Sequence, residues 1–232
     1  MTAASLPLAA AALFWIAIHL GLAGSPLRMA VVRAIGANPY RGAFSLLSAI
    51  GIVALAIAYR DADHAPIWDL GEAGRWLVLL LMLPALLLLV GSVTGPNPTA
   101  VGGERLLARG EHAHGIQRIT RHPMLTAFAL WSLGHLLVRG TVAGILLFGA
   151  ILVTVVAGMA SIDRKRARSE PRHWADFARE TSAVPFAAIL AGRNRLAWRE
   201  IGAWRLMLAL ILWLALVAIH PFVFGVPALP GS

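Results

Sequence analysis

Six apolar runs, residues 6–24, 43–59, 76–93, 123–138, 141–160 and 206–221, constrain this chain more than any other feature, because none contains Asp, Glu, Lys or Arg. Uncharged runs of this length satisfy their backbone groups in lipid by coiling into helices. The expected fold is therefore all-α: a polytopic integral membrane helix bundle with six transmembrane helices. The second, fourth and sixth runs are short, about 16 residues against about 20 for a full crossing. Flanking arginines that snorkel, or helices that begin inside the preceding loop, would make up the difference. Composition agrees. Hydrophobic residues make up 59% of the 232 and charged residues only 13%, against about 25% charged in a soluble domain.

Charge then orients the helices. With six crossings, the loops 25–42, 94–122 and 161–205 share one side and carry 17 of the 20 Lys and Arg. The other side has only Arg60, Arg75 and Arg139. The positive-inside rule makes the basic side cytoplasmic and both termini external, which is periplasmic in a bacterial inner membrane. The first run lacks a basic segment before it and reads as a retained helix, not a cleaved leader. The net charge of +9 reflects topology and contact with anionic lipid, not nucleic acid. Trp68, Trp76, Trp198 and Trp204 flank the runs as interfacial anchors. Gly21, Gly24, Gly91, Gly95, Gly134 and Gly149 read as close-packing positions between helices.

The whole of 1–232 reads as one transmembrane domain, with a cytoplasmic amphipathic and re-entrant segment at 161–205. There SIDRKRARSEPRHWADFARE suits a surface helix with Trp174 and Phe177 three residues apart. TSAVPFAAILA is apolar but too short to span.

Several chemistries are excluded. The chain has no cysteine, which rules out disulfides, iron–sulfur clusters, thiolate-ligated or c-type haem and a Cys nucleophile. No GxxxxGK[ST], GxGxxG or HExxH string occurs, so nucleotide and zinc-protease readings lack support. Glu104, Glu111, Asp163, Asp176 and Glu180 are all expected outside the spans, which argues against an ion pump or channel.

Histidine is what remains. A titratable ring within a membrane span is costly and points to function, and neutral imidazole is a common metal and haem ligand. His19 lies near the inner end of the first span. His122 stands at the inner end of the fourth, just before Pro123, whose missing amide suits a helix start. The two share a membrane depth compatible with one ligand held between the first and fourth helices. His135 falls about 20 Å from His122 along the helix and could pair with His220 near the outer surface. His64, His112, His114 and His173 read as loop or surface residues. The ordinary alternative for each is a hydrogen-bonding histidine between helices. Arg118 and Arg121 precede His122 where the carboxylates of a haem would meet the polar boundary, and arginine is a bidentate carboxylate partner. They also serve simply as positive-inside anchors.

Three strings carry a resemblance: IHLG around His19, GIQRITRHPMLTAFALWSLGHLLVRG at 115–140 and TSAVPFAAILAGR at 181–193. Through them the chain resembles the NnrU family, which includes the 15-cis-zeta-carotene isomerases. That resemblance implies haem b held by histidines and redox-dependent cis–trans isomerisation of a polyene. His19 and His122 are the ligand and catalytic pair it implies, with His135 in reserve and Arg118 and Arg121 as cofactor contacts. The expected partners are the bilayer and an apolar polyene or a small gaseous ligand, with an electron donor that the residues do not identify. Other family members are associated with nitrite and nitric oxide metabolism, so a non-enzymatic haem protein is the alternative. The RHPM string also resembles membrane methyltransferases that use S-adenosylmethionine. Those carry a later glutamate pair where this chain has only Asp163.

Overall fold

The computed structural model describes residues 3–100, 102–109 and 113–231. Glu111 and His112 lie outside them, and of Glu104 only the backbone is described. Eleven α-helices and one two-residue-wide β bridge follow in chain order among the described residues: α1 (Leu6–Ile16), α2 (Leu27–Ile35), α3 (Ala37–Arg60), β1 (Pro66–Trp68), α4 (Gly71–Thr94), α5 (Glu104–Ala108), α6 (Pro123–Val138), β2 (Gly140–Thr141), α7 (Val142–Ser169), α8 (Pro171–Glu180), α9 (Ala187–Leu190), α10 (Trp198–Ile201) and α11 (Ala203–Phe224). The chain is all-α, as its apolar runs require. Five helical stretches are long and apolar enough to cross a membrane: Ala3–Ala23, α3, α4, α7 and α11. The apolar 16-residue α6 is a sixth, shorter one. This is an integral membrane protein.

Two of the three short runs lengthen for the reason anticipated. Helix α3 starts six residues earlier, at Ala37, and runs 24 residues; α11 runs 22. Helix α6 starts at Pro123, where the missing amide costs nothing. Helix α11 ends at Gly225, whose positive φ of 69° is an ordinary left-handed stop for glycine. Proline at 84 and 221 lies inside α4 and α11, a placement that membrane helices tolerate.

The chain forms two compact units. The first comprises residues 1–74 and 132–158, the second 75–131 and 159–232. In the first, α1 packs on α3. Leu8 and Leu55 are fully buried, and Ala11 and Ala12 nearly so. Between apolar helices in lipid the gain comes from close van der Waals contact, not from the removal of water. Gly51 makes that contact possible: a Cβ there would come within 3.2 Å of the Trp15 ring. The short antiparallel β1–β2 bridge sets Trp68 opposite Gly140. The Trp68 indole donates to the Leu137 carbonyl at 2.9 Å, so this residue is a packing element and not merely an anchor.

In the second unit, Ile116 sits over Gly91, where a Cβ would come within 3.1 Å of it. By contrast Gly21 and Gly149 have open space around them, so these two do not pack helices as the sequence suggested. The segment at 161–205 also divides differently. Residues 161–169 continue α7. The amphipathic helix is α8, which packs on α5 and buries Trp174 and Phe177 with Leu107 and Ala113.

Candidate functional site

Two features single out the C-terminal end of the first membrane-spanning stretch, both within the first unit. At Ala17 the α-helical winding gives way to a seven-residue π-helix, Ala17–Ala23, which contains IHLG. Such wide turns recur at functional sites. Within it the half-buried His19 ring contacts Nδ1 to the Trp15 carbonyl at 2.9 Å. A carbonyl only accepts, so Nδ1 carries the proton, and in the neutral ring the lone pair falls on Nε2. This arrangement, one ring nitrogen tied to a backbone carbonyl and the other bare, is the one metal-bound histidines adopt. Trp15 lies against the ring with centroids 4.0 Å apart, and Phe44 meets it edge-on at 5.2 Å.

His122 belongs to the second unit. Its side chain is fully buried. Nε2 donates to Asp163 Oδ1 at 2.7 Å, and Nδ1 is buried with no hydrogen-bond partner. Asp163, from the C-terminal part of α7, is shared: Arg121 Nη2 donates to its Oδ2 at 2.7 Å and Arg121 Nε reaches both oxygens. The Arg121 guanidinium also lies 5.8 Å from the Trp174 ring. A carboxylate that orients a histidine while the second ring nitrogen stays bare is again the support found behind metal ligands. Both imidazoles thus fit a haem's demand for a nitrogen lone pair, His19 through Nε2 and His122 through Nδ1.

The loop carrying His122 is sewn to the strap at 181–188. Arg121 N–H donates to the Ser182 carbonyl at 2.9 Å, and Phe186 N–H to the Ile119 carbonyl at 2.8 Å. Thr120 Oγ1 donates to the Ala183 carbonyl at 3.0 Å, and Thr99 Oγ1 to the Arg121 carbonyl at 2.8 Å. Phe186 takes a left-handed φ of 63°, unusual outside glycine, and the hydrogen bonds on both sides of the strap hold it there. Two of the strings that carried the resemblance, ITRH and TSAVPF, are therefore one structural object.

Arg118 is occupied in the same way. Its Nε and Nη2 donate to Glu200 at 2.7 and 2.9 Å and its Nη1 to Asn194 at 2.7 Å. Gly115 N–H adds a bond to Glu200 at 2.8 Å. The Arg118 bonds outweigh the opposing effect of partial burial and, with the Gly115 amide, hold the Glu200 carboxyl down at about 2 from 4.5. A depressed carboxyl stabilises the folded state above its unfolded value and loses that contribution as pH falls. Stability should therefore decline between pH 4.5 and about 2 by about 1 kcal/mol, since the pair remains in touch with solvent. Thermal unfolding followed over that range checks this, and Glu200→Gln should flatten the decline.

His135 lies in the first unit with its ring centroid 5.2 Å from Phe148. His220, in the second, contacts the Val226 carbonyl through Nδ1 at 2.7 Å. Among the described residues, no three His, Cys, Asp or Glu side chains are grouped to hold a bare metal ion. Sequence reasoning missed Asp163 as the partner of His122. The signal available was its place in SIDRKRAR, one acidic residue in a basic run directly after an apolar one.

The fold and these histidines define a class, integral membrane proteins with imidazoles set beside their spans. A family profile described as NnrU protein matches residues 7–228, and the chain belongs to that family. It is similar to the chloroplastic 15-cis-zeta-carotene isomerase of Arabidopsis thaliana, 36% identical over 81 residues, and to that of Zea mays, 32% identical over 82. These matches cover 34% and 35% of this chain and 22% of each relative, so the chain spans about a fifth of the curated relatives it matches. No solved structure matches it.

Proposed function

We propose that this chain is a haem b-dependent cis–trans isomerase of an apolar polyene of the 15-cis-zeta-carotene class. The observation that carries the reading is the 81-residue similarity to an enzyme of that name. The bare imidazole nitrogens of His19 and His122 support it from the chemistry of the donors. Haem b, when bound, would supply an iron centre able to draw double-bond character out of a conjugated chain. The protein's own contribution is positional. Trp15 fixes the aim and tautomer of His19, and Asp163, held by Arg121, does the same for His122. The apolar outer face of α3, which packs on α1 in the first unit and exposes Ile50, Val53 and Ile57, would let a lipid-soluble substrate approach His19 from the bilayer. Rotation about one double bond moves no proton and leaves no net oxidation, so it asks no acid or base of these residues.

The test is direct. Haem-loaded protein in detergent, reduced with dithionite, should convert 15-cis-zeta-carotene to its 15-trans isomer, read by chromatography and absorption fine structure. Loaded, reduced protein that leaves the substrate unchanged would sink the isomerase reading and favour a haem protein of nitrogen-oxide metabolism. Conversion without haem would sink the cofactor. Failure to take up haem, with binding of S-adenosylmethionine, would favour a methyltransferase.

A further inference from the structure

In the first unit a ladder of rings leads from His19 to a cation. The His19 ring meets Phe44 at 5.2 Å, and Phe44 stacks on Tyr40 at 6.2 Å with planes 14° apart. The Arg28 guanidinium lies 5.6 Å from the Tyr40 ring centroid. Tyr40 is only 6% exposed, yet its hydroxyl has no hydrogen-bond partner of good geometry. A buried hydroxyl without a partner is unusual and asks for an explanation. Arg28, whose Nη1 reaches Met29 Sδ at 3.9 Å and whose guanidinium also interacts with the Tyr40 hydroxyl, has no carboxylate partner among the described residues. No Asp or Glu occurs before Asp61, which lies just past the far end of α3 and pairs with Arg60. Arg118 and Arg121, the arginines beside His122, are by contrast committed to Glu200 and Asp163.

A buried phenol and a half-buried arginine that interact with each other and lack a carboxylate, one aromatic step from a histidine with a bare nitrogen, suit a flat ligand with an acidic edge. We infer that Tyr40 and Arg28 hold a propionate carboxylate of the haem b that His19 binds. The inference rests on the haem reading above and moves the carboxylate contact from Arg118 and Arg121 to α2 and α3. Arginine and a phenol can both donate to one carboxylate.

The experiment compares haem b with its dimethyl ester, which keeps the ring and iron but lacks both negative charges. Each is titrated into the purified full chain in one detergent. The parent should bind haem b at least tenfold more tightly than the ester. Tyr40→Phe and Arg28→Gln should each cut that ratio about threefold, and together bring it close to one. Arg33→Gln, which removes an equal charge from the same helix, should leave it unchanged. If the parent binds haem but neither Tyr40→Phe nor Arg28→Gln moves the ratio, this inference falls and the haem reading stands. An equal fall in Arg33→Gln would reduce the effect to net charge and overturn it too. If Arg28→Gln loses preference for anionic over neutral vesicles while the haem ratio holds, Arg28 serves lipid phosphate instead. A parent that binds neither compound ends the haem reading, and this assignment with it.

Discussion

Asp163→Ala is expected to destabilise the folded protein by about 3 kcal/mol, the lower end of the range for removing one partner of a buried ion pair, because the carboxylate keeps some contact with solvent. The carboxylate takes hydrogen bonds from two residues at once, His122 Nε2 and the Arg121 guanidinium. Its loss strands a fully buried imidazole and an arginine whose side chain is only 17% exposed. The damage would spread, because Arg121 also ties the His122 loop to the 181–188 strap. Asp163→Asn keeps the size and one acceptor, so it should cost less while still disturbing His122: an amide can donate to the ring, which then no longer needs its proton on Nε2. Thermal or denaturant unfolding in a single detergent measures both. If Asp163→Ala unfolds with the parent, the cluster is not a stabilising network.

His19→Ala has the largest expected functional effect. It should remove the Soret band of the reduced protein, or shift it to that of a haem lacking one imidazole. Isomerisation should fall by more than the roughly 10–100-fold typical of changes behind a metal ligand. Stability should change little, since the ring is half-buried and its Nδ1 bond runs to a carbonyl four residues away in the same helix. That separation of outcomes distinguishes the two histidines: His19→Ala should lose cofactor and keep fold, whereas changes at Asp163 should weaken both. A band that survives His19→Ala unaltered would move the ligand search to His135 and His220.

The helices were legible because lipid leaves an uncharged run almost no other conformation. Pro123 marked its helix start for a reason local to one residue, and that reading held. What escaped is non-local or hidden by composition. The charge of SIDRKRARS conceals a helix that runs on from α7 to Ser169, since a helix and a loop outside the bilayer are equally polar. The contact from His122 to Asp163 spans 41 residues, and no spacing rule reaches that far. Nor does TSAVPF announce the left-handed Phe186, because the bonds that hold it come from Ile119 and its neighbours. Arg118 and Arg121, expected from the sequence as cofactor contacts, pair with Glu200 and Asp163, carboxylates that only three dimensions bring to them.

The wide winding at Ala17–Ala23 makes the aim of His19 a matter of counting. A helical residue advances the side-chain direction by about 100°, and a π-helix accommodates more residues in each turn than its α-helical neighbours. Deleting a single residue between Ile16 and His19 would swing the imidazole about a quarter-turn relative to Trp15 and break their ring contact. Conservative replacements along IHLG would leave that phase untouched. For this helix the number of residues is a stricter specification than their identity, with the histidine itself the exception.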